Sequence, residues 1–314
     1  MNIKRLIAVA FAAIVVVPAF AQTVFSNNVG GDSFTHAGIN TQSQDLVNSP
    51  TAPVVNLQGQ PAVARWQYDD VRNSGTVGID TTYARSGNGS ARITTPIGSS
   101  TQASIAFTAN PTDSVTNPGD KGFGGSFATF GSLTGWGYDI YRNEAYDNNN
   151  LPASLQMVAR VELFTAAGGF GSASGYLGNL IFIPDAAQNV SLVGTLADDT
   201  WHTIDIFAID GYLANSRALT IGATTFSAFS YRRLSEWQAD LGLSTFMSQF
   251  NAGVGSHSNQ YFDGAVDNYR INIAAGALPA LNATYNFEAV PEPATMSILA
   301  LAAALKRRKA KKNA

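Results

Sequence analysis

The chain of 314 residues contains no cysteine, so neither a disulfide framework nor a thiol nucleophile is open to it, and stability has to come from a buried core. Histidine is almost as scarce. His36, His202 and His257 stand far apart with no HExxH and no ligand spacing, which removes the zinc-hydrolase pattern. No G-x-S-x-G elbow provides a serine nucleophile. Between residues 22 and 289 the glutamates are limited to Glu144, Glu162, Glu236 and Glu288, and the lysines to Lys121. Glycosidic hydrolysis needs two carboxylates about 5 to 10 Å apart, and these acids are dispersed with no ExDxxE-like strand. An internal repeat is also missing, which disfavours propellers and solenoids. So are an EF-hand loop and a nonapeptide calcium repeat.

What is present divides into two ends and a body. Near the start, Lys4 and Arg5 precede an apolar run from Leu6 to Val17 and then Pro18-Ala19-Phe20-Ala21. A charged segment, an apolar segment and an A-x-A site predict a signal peptide over 1–21, cut between Ala21 and Gln22 by signal peptidase. At the other end Val290-Pro291-Glu292-Pro293 leads into an apolar run from Ala294 to Leu305 and a cluster of Lys306, Arg307, Arg308, Lys309, Lys311 and Lys312. Twelve helical residues reach ~18 Å against a hydrocarbon core of ~30 Å. The expectation is therefore a short hydrophobic helix with a transient hold in the inner membrane, its basic tail on the cytoplasmic side.

The order of these parts over 290–314 resembles the PEP-CTERM sorting signal. That resemblance implies an exosortase-type processing enzyme as partner, with Val290, Pro291, Glu292, Pro293, Arg307 and Arg308 as the motif. It also implies delivery to the cell envelope, surface or extracellular matrix. The apolar run is shorter than that family's usual pattern, and two lysines follow the arginine pair.

Of 19 basic residues, two precede residue 22 and six follow residue 289, while 21 of the 22 acids lie between, so the body carries 11 basic and 21 acidic groups. A net charge of −10 repels phosphate backbones and excludes nucleic acid as a partner. Most of those acids are Asp, which with abundant Asn, Gly and Ser is turn chemistry and points to many short strands.

Residues 22–60, polar and broken by Pro50 and Pro53, read as an extended arm with at most one edge strand. From 61 to 289, short apolar runs such as Arg65 to Tyr68, Ser104 to Phe107, Gly135 to Tyr141, Leu155 to Phe164 and Ala265 to Ile273 predict an antiparallel β-sandwich. Tyr231, Leu234, Trp237 and Leu241 fall at helical spacing and predict one short helix, with Ser230 as N-cap and Gly242 at its stop.

Trp66, the stretch Tyr83 to Ile93, Thr200 to Ile204 and Phe262 to Ile271 resemble strands of jelly-roll carbohydrate-binding modules. The resemblance implies an all-β jelly-roll fold, exopolysaccharide as a ligand, and a structural calcium on Asp267 and Asp263. From the residues themselves, Trp136, Tyr141, Arg142 and Tyr146 are the candidate sugar contacts. Trp136, Tyr138 and Ile140 share one strand face, which core packing alone would explain, and Asp139 and Tyr141 share the other. The predicted function is a non-catalytic surface or matrix protein. The competing reading, a polysaccharide hydrolase or lyase, needs two of Asp139, Glu144, Glu162 and Asp205 in one cleft.

Overall fold

The computed structural model describes residues 20–35, 44–56, 60–96, 101–109, 125–143, 158–165, 175–255 and 261–292. They form an all-β, two-sheet structure. In the first sheet β1 (Phe20–Val29) lies beside β20 (Leu281–Val290), followed by β19 (Phe262–Ile273), β7 (Ser90–Thr95), β6 (Thr76–Asp80) and β2 (Phe34–Thr35). On the other edge of β19 runs β10 (Leu133–Arg142), and β13 (His202–Asp205) pairs with β10.

The second sheet runs in the order β17 (Tyr231–Arg233), β14 (Tyr212–Asn215), β12 (Tyr176–Phe182), β11 (Val158–Thr165), β18 (Thr245–Val254), β8 (Gln102–Ala109), β5 (Pro61–Arg72), β4 (Ala52–Asn56) and β9 (Gly125–Ser126). A short β3 (Gln44–Leu46) also pairs with β5. A small hairpin, β15 (Leu219–Ile221) with β16 (Thr224–Phe226), and two helices, α1 (Ala187–Val193) and α2 (Leu234–Leu241), complete the described elements.

The core between the sheets is aromatic. Trp66 on β5 is fully buried, with Phe107, Tyr269, Tyr285 and Phe287 at ring-centroid distances of 5.4, 5.4, 5.2 and 4.9 Å. One side chain of the second sheet thus touches β19 and β20 of the first. Trp136 donates its indole N–H to the Tyr269 hydroxyl at 2.8 Å, and that hydroxyl donates to the Asn251 carbonyl at 3.1 Å, so a polar relay crosses the same core. None of the helices among the described residues is long and apolar enough to cross a membrane.

Residues 22–60 are not an arm: β1 to β4 pair into both sheets. The polarity that suggested an arm belongs to edge strands with one face outside. In β1 Val24 is fully buried while Phe25 is 36% exposed. This strand also breaks the antiparallel expectation, because β1 runs parallel to β20 from Phe20 against Ala283 to Val29 against Val290. The Val290 N–H donates to Ser26 Oγ at 2.8 Å and its carbonyl accepts from the Gly30 N–H at 2.8 Å. Val290 is therefore part of the sheet, and the segment free of it starts at Pro291.

The helix over 231–241 is shorter than its apolar spacing suggested, because Tyr231 to Arg233 pair with β14 before α2 begins. Arg233, not Ser230, is the N-cap, and Glu236 accepts its backbone N–H at 2.9 Å. Trp237 fastens the helix to the sheet by donating to the Leu213 carbonyl at 3.0 Å. The second helix, α1, has seven residues and no side-chain cap, so nothing in its sequence announces it. Ala19, Pro293, Arg307 and Arg308 lie outside the described residues, whereas Ala21 and Gln22 open β1.

Candidate functional site

The candidate ligand and metal residues that the structure describes, Trp136, Tyr141, Arg142, Asp263 and Asp267, fall on the first sheet, and most are occupied there. Trp136 is 1% exposed in the core, so it is not a ligand contact. Arg142 is 7% exposed and is bound to Asp185 at 2.8 Å, to Asp198 at 3.3 Å and to the Leu196 carbonyl, which corrects its assignment to sugar binding as well. Tyr141 does reach the outer face. Its ring stacks on Tyr83 at 4.5 Å and packs against Trp201 at 5.6 Å, and its hydroxyl donates to Asp199 at 3.1 Å. Burial, with help from Asp199, pushes that hydroxyl up to about 12. Tyr146 lies outside the described residues.

Around Tyr141 each carboxylate has its donor. Asp263 is gripped by Arg92 through Nε at 2.8 Å and a terminal nitrogen at 2.7 Å, and Tyr83 donates to it at 3.1 Å. Asp139 accepts from Arg85 at 3.1 Å and from Asn268 at 2.9 Å. Asp205 accepts from Arg270 at 3.2 Å.

Asp267 sits where the neighbour of β19 changes from β7 to β20. Its two oxygens accept the Phe287 N–H at 2.9 Å and the Ser86 N–H at 3.1 Å, closing the gap between the ladders. Asn268 beside it has a left-handed φ of 47° and donates to Ser86 Oγ at 2.7 Å. The calcium implied for Asp263 and Asp267 does not fit this arrangement. A hard cation needs several free oxygens, and these oxygens hold a guanidinium and two backbone amides.

Burial raises the Asp267 carboxyl to about 7, against the lowering pull of the Phe287, Asn268 and Ser86 amides. A raised acid favours folding below its unfolded pKa near 4, and that contribution is lost as pH climbs towards 7. Asp267→Asn turns one amide donor against a backbone N–H and should cost about 1–3 kcal/mol. The deficit relative to the parent chain is expected to be larger at pH 5 than at pH 8 in thermal melts. A deficit that widens with pH would mean the amides, not burial, govern this carboxyl.

The outer face of the second sheet is different in kind. Register places Gln67, Ala106, Asn251 and Arg160 side by side on β5, β8, β18 and β11. The neighbouring row holds Thr108, Gln249, Glu162 and Asn179. A third holds Asp69, Ser104 and Gly253. Alternation puts these opposite Trp66, Phe107, Phe250 and Val161, which fill the core. Three strand spacings make the first row about 14 Å long. Its floor is tight, because a Cβ on Gly253 would stand 2.3 Å from Ser104 Cβ.

This face is polar and buried, yet several of its groups have no partner. Arg160 is 7% exposed and makes no hydrogen bond or ion pair within 4 Å among the described residues. Burial lowers its pKa, while Asp70, Glu162 and Asp69 oppose that from a distance. Both amide atoms of Gln67 are buried and unpartnered, as are Asn251 Oδ1 and Asn179 Oδ1. Gln249 joins the rows by donating to Thr108 at 3.0 Å and accepting from Asn251 at 3.1 Å. Asp70, at the β5 bulge, has a left-handed φ of 52° and pairs with Arg72 at 2.6 Å. A buried donor or acceptor left unmade costs about 1–3 kcal/mol, more when charged. Side chains that pay this in the folded chain are poised for a ligand rich in hydroxyls, which can donate and accept at once.

Sequence reading named Glu162 but missed Gln67, Arg160 and Asn251. The only signal for them is a polar residue at alternate positions of strands whose other face is strongly apolar, and solvent-facing strands show the same pattern. Of the acids considered for catalysis, Asp139 and Asp205 stand on the first sheet, each with its own arginine, and Glu162 stands on the second. Glu144 is outside the described residues. A separate pocket of ≈ 330 Å³, lined by Val55, Phe127, Phe246, Ile273 and Leu278 among others, offers no ionisable side chain.

No family model and no curated protein matches the chain. Among solved structures, an arabinose-bound α-L-arabinofuranosidase aligns over 78% of this chain and 31% of its own length, at 11% identity and a TM-score of 0.25. The chain thus spans under a third of that enzyme, and so distant a likeness decides nothing about function.

Proposed function

We propose that the chain is an exported, non-catalytic surface or matrix protein, with a jelly-roll-type sandwich that holds polysaccharide on the outer face of its second sheet. The observation that carries the binding part is Arg160, buried and without a hydrogen-bond or ion-pair partner among the described residues, in a row with Gln67, whose amide atoms are unpartnered, and Asn251, whose Oδ1 is. Guanidinium and amide groups match the paired hydroxyls of a sugar, and the residues sit on strands, which hold such a constellation rigidly. The non-catalytic part is supported by Asp139 and Asp205, each held in an ion pair with an arginine and both on the sheet opposite Glu162. Export is supported by the signal-peptide pattern over 1–21 and by the PEP-CTERM-like tail of the sequence.

Binding is tested by passing the purified protein over a glycan array. Retention on at least one polysaccharide class is expected, and a blank array would end the proposal. Sorting is tested by deleting 293–314, which leaves Val290 and its bonds to β1 intact. The truncated protein should lose its surface location. An unchanged distribution would contradict the reading of the tail.

A further inference from the structure

We propose a second binding site, for a small neutral molecule with an apolar body and one hydroxyl, in the pocket of ≈ 330 Å³ where the turn between β19 and β20 meets β4, β9 and β18. Ser126, on β9, carries the inference. It lines the pocket, it is 1% exposed, and its hydroxyl has no hydrogen-bond partner among the described residues. A serine buried for the fold alone normally finds an acceptor. Ser104 does so, donating to the Asp69 carbonyl at 2.9 Å.

The rest of the lining defines the ligand. Val55, Phe246 and Leu278 are large and apolar yet only half-buried, so a ring or short chain laid against them removes further carbon surface from water. Thr129 and Ser132 add two hydroxyls, but these bond each other at 2.9 Å. Among the lining side chains the unmet polar group is thus Ser126, and a single ligand hydroxyl serves it, since either can donate or accept. None of the lining residues is ionisable, so an acid or an amine would give up its hydration and gain no counter-charge. A cavity of about 150 Å³ takes benzene, and this one, roughly twice as large, has room for two fused rings. A sugar would bring a hydroxyl on almost every carbon to walls made mostly of carbon, which sets this pocket apart from the saccharide face.

The test is equilibrium dialysis of the intact protein at neutral pH against three probes that share one body: naphthalene, 2-naphthol and 2-naphthoate. The parent protein should bind 2-naphthol roughly fivefold more tightly than naphthalene, the effect of one net hydrogen bond. It should bind 2-naphthoate at least about tenfold more weakly than 2-naphthol. Ser126→Ala should bring 2-naphthol to the level of naphthalene, leave naphthalene unchanged, and not lower the melting temperature, because the hydroxyl it removes has no bond to lose. Ala277→Trp, on the exposed turn at the rim, should weaken all three by filling the pocket. Should Ser126→Ala not fold, the order of the probes on the parent protein decides. No binding of either neutral probe, naphthoate bound as tightly as naphthol, or equal naphthol affinity in the parent and a folded Ser126→Ala would each overturn the proposal. An apparent mass in solution that falls on Ala277→Trp would make the occupant a second copy of the chain and overturn it as well.

Discussion

Arg160→Met is expected to make the protein more stable, by about 1–4 kcal/mol, with roughly 2–4 °C of melting temperature for each kcal/mol in a domain of this size. The direction is unusual, since most substitutions of buried residues destabilise. It follows from what Arg160 lacks. A guanidinium on a side chain only 7% exposed, with no ion pair or hydrogen bond among the described residues, has given up most of its hydration for little in return. Methionine has a similar reach, carries no charge, and would lie against its cross-strand neighbour Ile181 at the edge of the small apolar cluster of Val158, Ile181, Ile183 and Ala186. Arg160→Lys should give no such gain, because an ammonium keeps the buried charge. Thermal melts of the three proteins at one pH decide it. A methionine variant that melts lower than the parent would mean that Arg160 serves the fold and not a ligand.

The second large effect lies in the core. Trp66→Ala should cost about 3–5 kcal/mol, because the ring is packed by Phe107 from its own sheet and by Tyr269, Tyr285 and Phe287 from the other. The cavity would open between the layers, where neither sheet can move without dragging its ladders. Trp66→Phe should cost far less than the alanine variant. The indole N–H has no acceptor among the described residues, so its removal sacrifices no bond there and relieves a buried orphan. Urea melts of the two variants should therefore separate clearly. Similar losses for both would point to the indole edge, not to ring burial, as what joins the sheets.

The strands of the body were legible because their core faces alternate strongly. Trp66 and Tyr68, Ile105 and Phe107, and Trp136 and Tyr138 each mark a buried face two residues apart. The edge strand β1 was not, since an edge strand buries one side chain in two and the remainder resembles a polar linker. Its pairing to β20 joins the two ends of the body and depends on contacts more than 250 residues apart, which no local pattern can display. The start of α2 was misplaced for a related reason: Tyr231 is apolar at helical spacing, but it serves the outer apolar cluster as a strand residue.

The candidate site was the least legible part. Aromatic residues drew attention to Tyr141 and Trp136, whereas the structure spends Trp136 on the core and Tyr141 on Tyr83 and Trp201. Gln67, Asn251 and Arg160 come from three strands far apart in sequence, and only the register of the sheet sets them in one row. Glu162 stood out because glutamates are few, yet its neighbourhood could not be known without that register. The Asp263 and Asp267 pair illustrates the reverse. The motif was visible, but Asp263 turned out to hold the Arg92 guanidinium and Asp267 to brace strand and turn backbone.

Isothermal titration of the parent protein and Arg160→Met with an uncharged polysaccharide that the parent retains bears most directly on the proposed site. Hydrogen bonds from a charged group contribute about 1.5–3 kcal/mol, so the variant should bind roughly 10- to 100-fold more weakly while melting at a higher temperature. Equal affinity in the two proteins would contradict the placement of the ligand on this face.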